Sequence, residues 1–148
     1  MDLLSEGTIF GLISGCLTAI GLILSNIGAN TKINLIIMIL ISLAISDSLS
    51  DALGIYYSTY KDDKDIKKSM KEAGKAFLGK SIIPLTMALI FWLSNNINQS
   101  GFIILILVSM LFIYINIVVF KKNNIRLANV FIFVIIVLTN YYLGKRFS

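Results

Sequence analysis

LISLAISDSLSDALGIYYSTYK, residues Leu40–Lys61, is apolar enough to cross a bilayer and yet carries Asp47 and Asp51 near its middle. Carboxylates are expensive in hydrocarbon, so acids at that depth turn toward a bundle interior or a water-filled cavity. As i, i+4 neighbours the two share one helix face. At 1.5 Å per residue Asp51 lies about 15 Å inside Lys61, with Asp47 a turn deeper. Two like charges one turn apart cannot both ionise cheaply, so at least one is expected to hold a proton unless a cation sits with them. Such a pair can trade protons for a cation. The plainer reading is two protonated aspartates bonded to neighbouring helices. Ser42, Ser46, Ser50, Gly54 and Ser58 recur every four residues, a small and hydroxylated face beside the acids. Ser46, Ser50 and Ser58 are its candidate oxygen donors, and Gly54 a point of close backbone approach or hinging.

Outward from this stretch the whole chain has the same character. Of 148 residues, 57% are hydrophobic and 14% charged, against about 25% charged in soluble domains. Spans of roughly 20 residues leave room for five helices and short loops, hence one all-α membrane domain over residues 1–148. The expected spans are 8–27, 33–57, 77–93, 102–120 and 127–143. The net charge of +5 comes from cations set between the apolar runs, a membrane topology signal rather than a nucleic-acid face. Lipid is the expected partner and nucleic acid is not. The run MDLLSEG carries two acids and no base, so the first span reads as a retained helix rather than a secretory leader. Cys16 is the single cysteine and histidine is absent, which excludes thiolate metal clusters and His-based triads.

In the first span Gly7, Gly11, Gly15 and Ala19 form a small-residue ladder, suited to helix packing within the chain or to a dimer seam. After the acidic span, Lys61–Lys80 holds seven lysines with Asp62, Asp63, Asp65 and Glu72. Ile66, Met70, Ala73 and Phe77 give it an apolar stripe, so a short amphipathic cytoplasmic helix is expected over 61–80. Its four acids are a candidate metal entrance, against the plainer reading of a solvated helix face. Pro84, the only proline, marks an expected kink or hinge in the third span. Lys80 is expected to snorkel to the interface; pairing with the aspartates is the alternative. Ten of the 13 cations fall on one side if the amino terminus is cytoplasmic, which favours that orientation.

Three stretches resemble the vacuolar iron transporter family, which includes the yeast Ccc-type iron and manganese carriers. GLISGCLTAIGL (Gly11–Leu22) is similar to its first-helix signature. SDALGIYYS (Ser50–Ser58) is similar to the second-helix Ser-Met-Ala-x-Gly-Glu-Tyr-x-Ser pattern, matching at Ser50, Ala52, Gly54, Tyr56 and Ser58. AFLGKSIIPL (Ala76–Leu85) resembles the third-helix Phe-x-x-Gly-x-x-x-Pro stretch more loosely. Phe10 stands where the family has its first-helix aspartate, Asp51 where it has methionine, and Ile55 where it has glutamate. The resemblance implies five spans, a homodimer and export of a divalent cation from the cytosol. With Asp47, Asp51, Ser46 and Ser50 as oxygen donors, the ligand set leans toward hard cations such as manganese, with ferrous iron also admissible.

Two functional readings follow. One is a proton-coupled divalent cation transporter whose only ligands are its cargo and protons, with no resident cofactor. The other is a non-transporting membrane scaffold or partner-binding module on the same fold. An intramembrane enzyme is disfavoured, because Asp47 and Asp51 are deep and neither arginine, Arg126 or Arg146, lies near them in sequence.

Overall fold

The computed structural model describes residues 5–94, 96–120 and 123–148. Five helices make up the chain: α1 (Glu6–Gly28), α2 (Ile33–Asp63), α3 (Ile66–Ser94), α4 (Ile97–Val119) and α5 (Asn123–Arg146). All five contain segments long and apolar enough to cross a membrane, and the chain is accordingly an integral multi-pass membrane protein. The outward surface agrees: Trp92, Phe102, Phe131 and Leu138 stand exposed, as lipid-facing side chains do.

The segment Lys61–Lys80 does not form a helix of its own. α2 runs on to Asp63, the chain turns at Lys64 and Asp65, and α3 starts at Ile66. Lys64 takes the left-handed conformation (φ 56°) and its N–H bonds the Tyr60 carbonyl at 2.9 Å. The Asp65 carboxylate then accepts from the N–H groups of Lys67 (2.9 Å) and Lys68 (3.1 Å), capping α3. No glycine marks this turn. The apolar stripe is also not the packed face, since Ile66 and Met70 are exposed while Ser69, Ala76 and Gly79 are buried. Helices in lipid gain more from close approach of small residues than from burying large apolar ones.

α2 and α3 have 31 and 29 residues, or about 46 and 43 Å at 1.5 Å per residue. Both exceed a hydrocarbon layer of about 30 Å, so their charged hairpin projects from one face of the membrane. α3 stays helical through the buried Pro84, and α2 through Gly54, so neither expected hinge interrupts its helix.

α1 is the central helix, packing on all four others, while α2 leans chiefly on α3. The glycine ladder faces α3 within the same chain. A Cβ at Gly7 would overlap the Glu72 carbonyl, one at Gly11 the Ala76 carbonyl, and one at Gly15 would lie 3.0 Å from the Lys80 carbonyl. Gly79 reciprocates, 3.0 Å from the Thr8 carbonyl by the same measure. The ladder therefore closes the α1–α3 contact and is not a free dimer seam. Ala19 continues into the apolar core with Cys16, Ile20 and Ile23 of α1, Leu40 of α2, Phe91 of α3 and Phe112 of α4. Cys16 is thus a buried packing residue. A second small-residue contact brings α5 against α1, where a Cβ at Gly144 would overlap the Ser25 carbonyl.

Candidate functional site

Asp47 and Asp51 project from α2 toward α3, where Lys80 meets both. Its ammonium Nζ lies 2.6 Å from Asp47 Oδ2 and 2.6 Å from Asp51 Oδ2. The bond to Asp51 is a directed hydrogen bond, whereas Asp47 Oδ2 has no directed donor and is held by charge. From α1, the Ser14 hydroxyl donates to the same Asp51 Oδ2 at 2.7 Å. Neighbouring Gly15 lets α1 approach the Lys80 backbone, which brings Ser14 within reach. Three helices thus converge on one carboxylate.

Lys80 is 3% exposed and does not snorkel to the interface. Two carboxylates lie within its reach, and their attraction in a poorly screened medium outweighs the pull of distant water. It supplies the cation that the two acids require, and with both ionised the cluster carries a net charge of −1. The three side chains differ in access: 4% exposed for Lys80, 22% for Asp51 and 34% for Asp47. The cluster is sealed on its α3 side and open at Asp47. Ser14 is eight residues from Glu6 and 14 from Gly28, about 12 and 21 Å along the helix. The site thus lies nearer the charged end.

Ser46, Ser50 and Ser58 are exposed on the outer side of α2 and do not join the cluster within the chain. The buried serine is Ser48, fully enclosed with no partner for its hydroxyl. Ser14 has no part in the site expected from sequence, and Lys80 takes the role that stood there as the alternative to snorkelling. The available signals were a lysine inside an apolar run and a serine beside a ladder glycine.

The four acids of the charged hairpin have other duties. Asp63 pairs with Lys68 at 2.7 Å, and Glu72 with Lys75 at 2.8 Å. Glu72 also accepts from the Gly7 N–H at 3.1 Å, tying α3 to the start of α1. Asp65 is the cap described above. Asp62 and Asp63 border a polar cleft of about 310 Å³ with Glu6, Ser58 and Glu72. Among the described residues no three acids, cysteines or histidines gather as metal ligands. Each carboxylate here is spent on a lysine, a cap or solvent.

A second polar contact joins α4 to α5. The buried Asn116 amide donates to the Arg126 carbonyl at 3.2 Å and accepts from Asn129 at 3.0 Å. The Arg126 guanidinium donates to the Ile117 carbonyl at 2.9 Å and also to that of Phe120. It satisfies carbonyls at the end of α4, a structural role.

No family model, characterised protein or solved structure matches the chain. The reading of the cluster therefore rests on its own geometry.

Proposed function

We propose that the chain is a small cation transporter in which Lys80 is a tethered counter-cation, held by Asp47 and Asp51 until a transported ion takes its place. The observation that carries this reading is the sharing of one buried ammonium by two carboxylates, one of them open to the outside of the bundle. Asp47, Asp51 and the Ser14 hydroxyl are oxygen donors, the ligand type that hard divalent ions prefer. The charge balance supplies a coupling rule. A divalent ion between two carboxylates is neutral only if Lys80 gives up its proton as the ion arrives. One proton then leaves for each ion bound, and its return restores the resting pair. Manganese and ferrous iron are the proposed cargo. The likeness to vacuolar iron carriers supports that choice, and also export from the cytosol by a dimer. With Lys80 buried, nine loop cations against three still favour a cytoplasmic amino terminus.

Uptake into proteoliposomes tests this. Asp51→Asn is expected to abolish manganese flux, and flux equal to wild type would remove the reading. A second reading, a membrane scaffold without transport, is favoured by the mutual satisfaction of the three charges. The two separate by a thermal melt. A transported divalent ion raises the unfolding temperature by mass action, while a scaffold shows no response to manganese, ferrous iron, calcium or magnesium.

A further inference from the structure

The apolar stripe of the charged hairpin is left uncovered by the chain, with Ile66 and Met70 both exposed. Such exposure is ordinary for Leu89 or Phe131 in hydrocarbon, but the stripe stands at a different level. α2 and α3 overrun a hydrocarbon layer of about 30 Å by about 13–16 Å. Roughly the ten residues of each helix next to the turn therefore rise through the headgroups. Ile66, Met70 and Ala73 on α3, and Tyr56 and Tyr60 on α2, all belong to that stretch. Bulk acyl chains do not reach them there.

Met70 and Ala73 form one wall of a groove of about 370 Å³, with Leu49, Ala52, Leu53 and Tyr56 of α2 as the other. Leu49 and Leu53 come two residues after Asp47 and Asp51, about 200° further round the helix. The groove thus opens on the side of the helix pair away from the charge cluster. Its lower end at Leu49 lies in hydrocarbon, and its upper end at Met70 lies among the headgroups. Above it the rings of Tyr56 and Tyr60 stack 6.1 Å apart, and the Lys64 ammonium sits 5.6 Å from the centre of the Tyr60 ring. Lys67 and Lys71 stand exposed on either side of Met70 in the sequence. Lys68 and Lys75 are paired with Asp63 and Glu72. Among the described residues Lys64, Lys67 and Lys71 have no carboxylate within ion-pair distance, and neighbouring Asp65 is turned to the N–H groups it caps.

We infer that this groove holds one anionic phospholipid, with an acyl chain along Leu49, Leu53 and Met70 and its phosphate at Lys64, Lys67 and Lys71. An apolar slot that begins in hydrocarbon and ends under unpaired ammonium groups matches a molecule with a tail and a negative head. Lysine clusters beside a membrane helix attract anionic headgroups, and tyrosines suit the polar boundary. A zwitterionic lipid carries its own cation and gains less from the lysines. A soluble phosphate leaves the slot empty. The site is separate from Asp47, Asp51 and Lys80, so it holds equally for a transporter and for a scaffold.

Native mass spectrometry of the detergent-solubilised protein tests the inference. Phosphatidylglycerol is expected to persist as a one-to-one adduct at concentrations where phosphatidylcholine of the same chains does not. Lys64→Gln, Lys67→Gln and Lys71→Gln together are expected to weaken that adduct at least about tenfold. Lys145→Gln with Arg146→Gln, at the other end of the bundle beside Gly28, is expected to leave it unchanged, and so is added glycerol 3-phosphate or inorganic phosphate. In nanodiscs Met70→Cys is expected to react more slowly with a water-soluble maleimide when phosphatidylglycerol is present than in phosphatidylcholine alone. Cys16, fully buried, gives no background. Equal adducts of the two lipids, a triple lysine variant that binds as wild type does, or displacement by free phosphate overturns the inference. So does equal labelling of Met70→Cys in the two nanodiscs, which would mean that bulk lipid or water fills the groove.

Discussion

The glycine ladder of α1 and the serine ladder of α2 follow the same four-residue spacing, and the chain closes one and leaves the other open. Gly7, Gly11 and Gly15 find a slim partner in α3, where Glu72, Ala76 and Lys80 bring carbonyls to the α1 backbone and Gly79 receives the Thr8 carbonyl in return. Ser42, Ser46, Ser50 and Gly54 find none. Spacing alone therefore predicts close contact without saying with whom. What decides is whether the facing helix is also small at the same level, as α3 is at Ala76 and Gly79 toward α1. Where the two patterns come nearest, Ser14 and Asp51 meet over Lys80, so the charge cluster lies at the boundary between closed and open surfaces.

The largest effect that bears on this contrast is expected at Lys80. Lys80→Met strands two carboxylates and should cost about 3 kcal/mol, measured by denaturant titration in micelles. Converting Asp47 and Asp51 to Asn in the same protein should restore most of that loss, because the penalty is the unpaired charge. A Lys80→Met protein as stable as wild type would show that the cluster does not hold α2 to α3.

Next comes one substitution made on both ladders. Gly11→Ala pushes a methyl group into the Ala76 carbonyl and should destabilise by about 2 kcal/mol. Gly54→Ala enters open space and should be neutral or stabilising by up to about 1 kcal/mol, the helix-propensity gain. Equal losses at the two positions would erase the distinction. The smallest effect belongs to the charged hairpin, where Asp63→Asn removes a solvent-exposed pair. It should change stability by less than about 1 kcal/mol, and less still in high salt.

Much of this architecture was legible in the sequence. Five apolar runs gave five helices in order, and acids inside an apolar run marked Asp47 and Asp51 as unusual. Their partner was legible only as one of two alternatives for Lys80. A lysine four residues past an apolar boundary can run to the interface or turn inward, and only the pairing of α3 with α2 places Lys80 between two carboxylates. Ser14 was hidden because its role depends on how closely Gly15 lets α1 approach. The break at Lys64 and Asp65 was missed because a left-handed lysine and an aspartate cap do the work usually given to glycine. The charged segment was divided wrongly for the same reason: its lysines and large apolar residues suggested a surface helix, while Ser69, Ala76 and Gly79 had already made it part of α3.

The Lys80 pairing also bears on how the chain enters the bilayer during synthesis. At the centre of a lone helix an aspartate opposes insertion by about 2.5–3.5 kcal/mol, and α2 carries two. Their counter-ion is encoded about 30 residues downstream, across a turn of only Lys64 and Asp65. The nascent α2 therefore gains from waiting in the translocon until α3 emerges, so that the two helices leave together with one of the two negative charges offset. The short turn makes that handover a local event on the ribosome rather than a search through the finished membrane.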